Sequence, residues 1–98
     1  MTTKPNKGNK MHAVITTDKR GVFFGEIDEA DREKTDTMTV KDCQMCVYWA
    51  SGGVVGLASD GPPKGSRITK AAPSITLHDI HSVMEASPEA VKAWQRSN

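Results

Sequence analysis

Short runs in which β-branched and aromatic residues alternate with polar residues dominate the first part of the chain. The segments HAVITT (12–17) and VFFGEI (22–27) have the composition and spacing that are typical of strands. Between them lies DKRG (18–21), a charged segment ending in a glycine, which predicts a tight turn with Gly21 supplying a permissive backbone dihedral. The pattern therefore predicts an antiparallel hairpin over residues 12–27.

The second strand of this hairpin is apolar on both faces. In an extended backbone, Val22 and Phe24 lie on one face while Phe23 and Ile27 lie on the other. This pattern is expected where a sheet curls and is covered on both sides. Gly25, in the middle of the strand, predicts a bulge or a close approach of another backbone.

The rest of the chain up to residue 86 has the spacing of short strands and loops. A strand is predicted over 37–42 that continues through 43–50, followed by strands over 54–59 and 74–86 and a short strand over 67–70, with loops over 28–36 and 60–66. The segment 74–86 also fits a helix, but its β-branched residues favour a strand with a bulge at His78–Asp79.

A short C-terminal helix is predicted over PEAVKAWQR. Ser87 can accept a hydrogen bond from a first-turn amide, Pro88 suits the first helical position, and Glu89 meets the positive end of the helix dipole. Val91 and Trp94 then share a face that can cover the sheet. We therefore expect a mainly β fold of five to six strands with one short C-terminal helix. A small SH3- or Sm-like barrel fits best, and a compact β-sandwich is the alternative.

Length and charge narrow the function classes. The 98 residues make one β-rich domain over 12–98, preceded by a disordered basic tail over 1–11. The net charge of +1 disfavours binding to duplex DNA. Residues 28–36 are locally acidic.

A chain of 98 residues can bury only a small hydrophobic core. Such a core is often completed by self-association, so we expect a homo-oligomer. There is no apolar run long enough for a membrane span and no secretory signal, which predicts a cytoplasmic protein with reduced cysteines.

The spacing of the two cysteines invites a metal or redox interpretation, which strand geometry disfavours. Cys43 and Cys46 are three residues apart in a predicted strand, so their side chains point to opposite faces and cannot share one ion. His78 and His81 meet the same objection. We therefore expect no metal and no cofactor. We also expect no enzymatic activity, because no nucleophile and base can be paired from the sequence.

Candidate ligand-binding residues come from two turns and one strand. Arg20, beside Gly21 and near Phe24, could hold a phosphate and stack a base. The segment GPPKGSR (61–67) is not a Walker loop, but Lys64, Gly65 and Arg67 could contact phosphate. Tyr48 and Trp49 are adjacent, so one ring faces outward as a stacking platform or an oligomer contact. We select Trp49 as the second candidate ring.

Five sequence segments, taken together, resemble those of a known family. These are TTDKRGVFFGEI, KDCQMCVYW, GVVGLAS, GPPKGSRI and LHDIHSVMEASPEAVKAW. At these strings the chain resembles a family of small phage and bacterial proteins of uncharacterised function, over roughly residues 12 to 95. The resemblance implies a phage or prophage origin and a location in the host cytoplasm, and it transfers no catalytic residues.

The resemblance and the candidate residues together suggest a non-enzymatic phage accessory protein. We expect a counter-defence protein that sequesters a cyclic-nucleotide immune signal. An Sm-like module that binds single-stranded nucleic acid is an alternative. A second alternative is a protein–protein inhibitor of a host defence complex, with the loop 28–36 mimicking nucleic-acid charge.

Overall fold

Six strands and two helices form the part of the chain that the computed structural model describes, residues 9–19, 21–49 and 52–97. The strands are β1 (Lys10–Thr17), β2 (Val22–Asp28), β3 (Thr37–Tyr48), β4 (Arg67–Ile68), β5 (Ala72–His78) and β6 (Ile80–Glu85). The helices are α1 (Gly53–Ser59) and α2 (Pro88–Arg96), and a 3-10 turn covers Glu29–Asp31. Within these residues, neither helix is long and apolar enough to cross a membrane.

All of the strand pairings are antiparallel, and the sheet is strongly curled. The order is β4-β3-β2-β1-β6, and β5 pairs with β3 on the same side as β4. β5 and β6 are separated only by Asp79, whose φ of 56° turns the chain sharply. The continuous segment of β5 and β6 therefore pairs with β3 on one side of the sheet, through β5, and with β1 on the other, through β6. The prediction of a mainly β fold of five to six strands with a short C-terminal helix is confirmed, with six strands present. The strand over 74–86 and its irregularity beside Asp79 are also confirmed.

The curl divides the buried residues into two clusters. The helix-side core lies between the sheet and the two helices and contains Val14, Val22, Phe24, Cys46, Leu57, Ala58, Ala86, Ala90 and Trp94. The strand core is built from strand residues, with Ile80 at the start of β6, and contains Ala13, Ile15, Ile27, Met38, Val40, Cys43, Leu77 and Ile80. Alternate residues of one strand thus supply two different cores.

β2 shows this division most clearly. Val22 and Phe24 belong to the helix-side core, while Ile27 lies in the strand core with Phe23 packed against it. The predicted division of its faces is therefore confirmed. The pairing of β2 with β3 shifts register at Gly25, where an added Cβ would lie 2.7 Å from the carbonyl oxygen of Lys41. The glycine is needed because the backbone of β3 leaves no space for a side chain.

α2 begins as the sequence predicts. The Ser87 hydroxyl accepts a hydrogen bond from the Ala90 amide at 3.0 Å, and Pro88 occupies the first turn. The hydroxyl also donates to the Ser59 carbonyl at 2.6 Å, which ties the start of α2 to the end of α1. Trp94 is fully buried against the sheet, and Val91 packs beside it. The predicted helix and its buried face are confirmed.

The prediction of a strand over 54–59 is wrong, because this segment is helix α1. Leu57 and Ala58 are buried, and Val54 packs against the same helix-side core. These three residues follow the i, i+3, i+4 spacing of a helix face. A short apolar run does not distinguish a strand from a buried helix, and here the need to cover the sheet decides.

Two smaller predictions at the hairpin also need correction. Lys10 and Met11 belong to β1, so the domain begins before residue 12; residues 1–8 of the predicted tail lie outside the described residues. Gly21 does not have a positive φ. It is required for space, because an added Cβ would lie 2.5 Å from the Phe23 ring and 2.8 Å from the Thr17 hydroxyl.

Candidate functional site

The predicted ligand-binding residues do not converge on one place. Phe24 is only 1% exposed, and its ring lies between those of His12 and Trp94, at centroid distances of 5.5 and 4.9 Å. A ring stacked on both faces in the core has no face left for a ligand. Phe24 is therefore a core residue, and the expectation that it stacks a base does not fit its position.

Gly21 and Trp49 line one groove together, between α1 and the strands β1 and β6. The groove has a volume of about 710 Å³, and its apolar wall includes Trp49, Val54 and Met84. The lining also includes hydroxyl groups and the pair formed by His81 and Asp18, whose Nδ1 and Oδ1 lie 3.6 Å apart. No lysine or arginine is among the described residues that line it. Arg20, the predicted cation of this turn, lies outside the described residues.

Lys64, Gly65 and Arg67 lie on a different surface. Lys64 and Gly65 line a concavity of about 400 Å³ together with Arg96 from the end of α2. Arg67 lines a neighbouring concavity of about 350 Å³. The two adjoin, because Ser66 and Ser97 line both. We call them together the basic concavity.

Electrostatics favour an anion at the basic concavity. Lys64, Arg67 and Arg96 bring three positive charges to its lining. Among the described residues that line it, none is acidic, and no ion pair joins these cations to another described residue. Cations without a protein counter-charge remain available to a ligand, and guanidinium groups match phosphate in a bidentate geometry.

The loop between α1 and β4 fixes the position of Lys64. Gly61 has a φ of 89°, and an added Cβ would lie 3.3 Å from the Ala90 carbonyl oxygen, so the loop lies directly on α2. The Ser66 amide and hydroxyl both donate to the Pro63 carbonyl, at 3.1 and 2.6 Å. Gly65 adopts a φ of 90° at the tip. These restraints reduce the entropy that a ligand must remove from this loop.

An exposed aromatic ring lies beside Arg67. Tyr48 pairs with Arg67 across the ladder of β3 and β4, so the two side chains project to the same face of the sheet. The register shifts between Cys46 and Tyr48, which places Val47 at a bulge. Tyr48 is 53% exposed, whereas Trp49 packs against the helix-side core. Of the two adjacent rings, Tyr48 is therefore the outward one, and the sequence-based choice of Trp49 selected the other.

The sequence analysis missed Arg96 as a cation of this surface, and of the two adjacent rings it selected Trp49 instead of Tyr48. The alternation of the strand had shown that one of the two rings faces outward, but not which one, because the bulge at Val47 resets the alternation. Arg96 is thirty-two residues from Lys64 in the sequence. Its position beside the loop follows only from the packing of Gly61 on α2, which no local pattern reveals.

The cysteines lie in separate cores, as strand geometry predicts. Cys43 belongs to the strand core and Cys46 to the helix-side core. Burial raises the pKa of the Cys43 thiol to about 12 and also raises the pKa of Cys46. We therefore expect both thiols to be protonated at neutral pH. In the described part of the chain, no group of three or more histidine, cysteine or acidic side chains could hold a metal ion.

The acidic segment 28–36 lies close to β6. The amide of Ile80 donates to the Thr35 carbonyl at 3.1 Å, and Arg32 lies 3.9 Å from the Glu85 carboxylate. Lys34 forms an ion pair of 3.2 Å with Asp31 within the segment itself. These contacts give the loop a structural role at the edge of β6.

Comparison with known proteins places the chain in a family. A family model described as a domain of unknown function (DUF6948) matches residues 10–94. No curated protein matches the chain, and no solved structure matches it.

Proposed function

Because the chain belongs to the DUF6948 family, whose function is unknown, we propose its function from the geometry of the basic concavity. The protein is a non-enzymatic binding protein that holds a phosphate-bearing nucleotide there. The observation that carries this proposal is the meeting of Lys64, Arg67 and Arg96 around one surface without an acidic residue among its described lining residues.

The three cations and the exposed ring suit the two halves of a nucleotide. Phosphate oxygens accept hydrogen bonds from the guanidinium groups of Arg67 and Arg96 and from the Lys64 ammonium. Tyr48, beside Arg67, offers a face on which a base can stack. The two concavities, of about 400 and 350 Å³, have the size of small-ligand sites.

The serines at this surface support binding rather than covalent chemistry. The Ser66 hydroxyl donates to the Pro63 carbonyl at 2.6 Å, and the Ser97 hydroxyl donates to the Ala93 carbonyl at 2.7 Å. Each therefore uses its proton to hold the backbone around the concavity. A hydroxyl nucleophile instead needs a general base that accepts this proton.

The biological role that we propose is counter-defence. The resemblance to small phage proteins supports an accessory protein that removes a cyclic-nucleotide immune signal by binding it. Such a protein acts stoichiometrically, so it needs affinity rather than turnover. Cyclic oligonucleotides contain both chemical groups that this surface suits, namely phosphates and bases.

Isothermal titration with cyclic dinucleotides and trinucleotides tests the proposal. We expect Arg67→Ala and Arg96→Ala each to weaken binding by about tenfold or more, because a charged hydrogen bond contributes about 1.5–3 kcal/mol. Lys92→Ala is the matched control: it removes an exposed cation of α2 that does not line the concavity. Absence of binding by all of these ligands, or equal losses with Lys92→Ala, would refute the proposal.

A second candidate ligand is single-stranded nucleic acid. The groove that Gly21 and Trp49 line is separate from the basic concavity. A small ligand would occupy one of the two sites, whereas we propose that an extended nucleic-acid strand contacts both. Three phosphate contacts predict a slope of about −2 for the logarithm of affinity against the logarithm of salt concentration. Fluorescence anisotropy with labelled oligonucleotides measures this slope, and binding that does not respond to salt would exclude this candidate.

A further inference from the structure

The outer edge of β5 is open. β5 pairs with β3 through six residue pairs, from Thr37–His78 to Cys43–Ala72. Among the described residues, no other backbone hydrogen bond involves residues 72–78. In an edge strand every second residue directs its N–H and C=O away from the sheet, so this edge presents a row of backbone donors and acceptors without protein partners.

The opposite end of the sheet is contacted by the loop from β2 to β3. Ile80, at the start of β6, donates its amide to the Thr35 carbonyl at 3.1 Å, and Arg32 lies 3.9 Å from Glu85, the last residue of β6. These contacts restrict the approach of another strand at the two ends of β6. Among the described residues, the outer side of β5 has no comparable contact, so we take β5 as the more accessible edge.

This edge carries no charged residue that would oppose pairing. The stretch 71–77, AAPSITL, contains no charged residue, although edge strands commonly carry lysine or other charges that oppose association. Ser74 and Thr76 are exposed on one face, while Leu77 is buried and Ile75 packs against the strand core on the other. Pro73 removes one donor near an end of the strand and leaves 74–76 intact.

We propose that the edge of β5 pairs in antiparallel register with β5 of a second copy of this chain. A two-fold axis near Ile75 places each strand over its full seven residues against the other, with Ser74 opposite Thr76. Lys70 precedes the strand and Asp79 follows it, so antiparallel pairing brings the lysine end of one copy to the aspartate end of the other. These opposite charges favour the pairing.

Pairing of β5 with β5 is isologous, because it uses the same edge of both copies. Each copy's β5 edge is then occupied, so this contact by itself closes the assembly as a dimer. The pairing is about 23 Å long, at 3.3 Å per residue, so it favours a reversible dimer over an obligate one.

Sedimentation velocity of the full chain over a dilution series tests the proposal. We expect a species of about twice the 10.6 kDa chain mass that dissociates on dilution. Thr76→Lys places like charges at diagonal positions on either side of the two-fold axis and should yield monomer. Thr39→Lys is the matched control: Thr39 pairs with Thr76, with their hydroxyl oxygens 3.4 Å apart, but it lies one strand inward from the edge.

Circular dichroism establishes that each variant is folded, and Ser74→Lys replaces Thr76→Lys if that variant is not. Hydrogen exchange gives a second readout, with slower exchange of amides in 74–77 at high protein concentration. A wild-type chain that is monomeric throughout the series would overturn the proposal. Dimers that persist in the folded β5 variant, or dissociation caused equally by Thr39→Lys, would also overturn it.

Discussion

The ring of Phe24 lies parallel to the indole of Trp94, with centroids 4.9 Å apart and an angle of 6° between the planes. The Trp94 indole N–H donates to the Leu57 carbonyl at 3.0 Å. One side chain of α2 thus joins the sheet, through β2, to helix α1. This contact explains why two short helices are held firmly on one face of the sheet.

Trp94→Phe should destabilise the protein while keeping an aromatic ring against Phe24. The buried Leu57 carbonyl loses its donor, and an unsatisfied buried acceptor costs about 1–3 kcal/mol. Urea denaturation followed by circular dichroism measures the free energy of unfolding. Val55→Ala is the control, because Val55 is 66% exposed and should change stability by less than about 0.5 kcal/mol. Similar losses in the two variants would contradict the assigned role of Trp94.

Glycine-to-alanine substitution should have opposite effects at Gly25 and Gly56. At Gly25 the new Cβ would lie 2.7 Å from the Lys41 carbonyl oxygen, so the β2–β3 pairing must distort and stability should fall. At Gly56, inside α1, nothing lies within 4 Å of the new Cβ, and alanine should stabilise the helix by about 1 kcal/mol. Thermal unfolding of the two variants tests this difference. A rise in the melting temperature of Gly25→Ala would show that the bulge has more space than the structure indicates.

Ser87→Ala should cost about 1 kcal/mol or more, because it removes the N-cap of α2 and the bond to the Ser59 carbonyl. Ser87→Asp keeps an acceptor for the Ala90 amide but cannot donate to Ser59. We therefore expect the stabilities to decrease in the order wild type, Ser87→Asp, Ser87→Ala. Chemical denaturation of the three proteins determines this order. If the aspartate variant is no more stable than the alanine variant, the cap contributes little.

The Cys43 thiol should make stability decrease at high pH. Burial raises its pKa from the ordinary 9.0 to about 12 in the folded protein, so the unfolded chain loses the proton first. The stabilising contribution of the protonated thiol is complete below pH 9 and is lost as the pH rises from there towards 12. Cys43→Ala should reduce the decrease in the free energy of unfolding over this range. Any decrease that remains is expected from Cys46, whose pKa is also raised by burial. Unfolding measured across this range tests the sign, and an unchanged slope would exclude Cys43 as the cause.

The same burial should protect both cysteines from thiol reagents in the native state. Cys43 and Cys46 lie in separate cores and are both almost fully buried. A thiol reagent should therefore react only after local or global opening, and at a rate that increases with denaturant. Absorbance of the released chromophore follows the reaction. Rapid modification of one thiol per chain without denaturant would show that its core opens readily.

The sequence by itself determined the elements in which local signals agree. The alternation in 12–17 and 22–27, the glycine at position 25 and the serine–proline start at 87–88 each act over a few residues. They therefore predicted β1, the two faces of β2, the bulge and α2. The opposite positions of Cys43 and Cys46 also followed, because strand periodicity fixes which face each side chain takes.

Only the tertiary structure decided where distant segments meet. Local propensity favoured a strand over 54–59, yet burial of Leu57 and Ala58 against the sheet makes it a helix. Phe24 became a core residue because Trp94, seventy residues later, covers its ring. Arg96 joined Lys64 and Arg67 because Gly61 allows its loop to lie on α2. Burial and the packing of one segment on another depend on residues that are far apart in the sequence. No local sequence pattern therefore reveals these contacts.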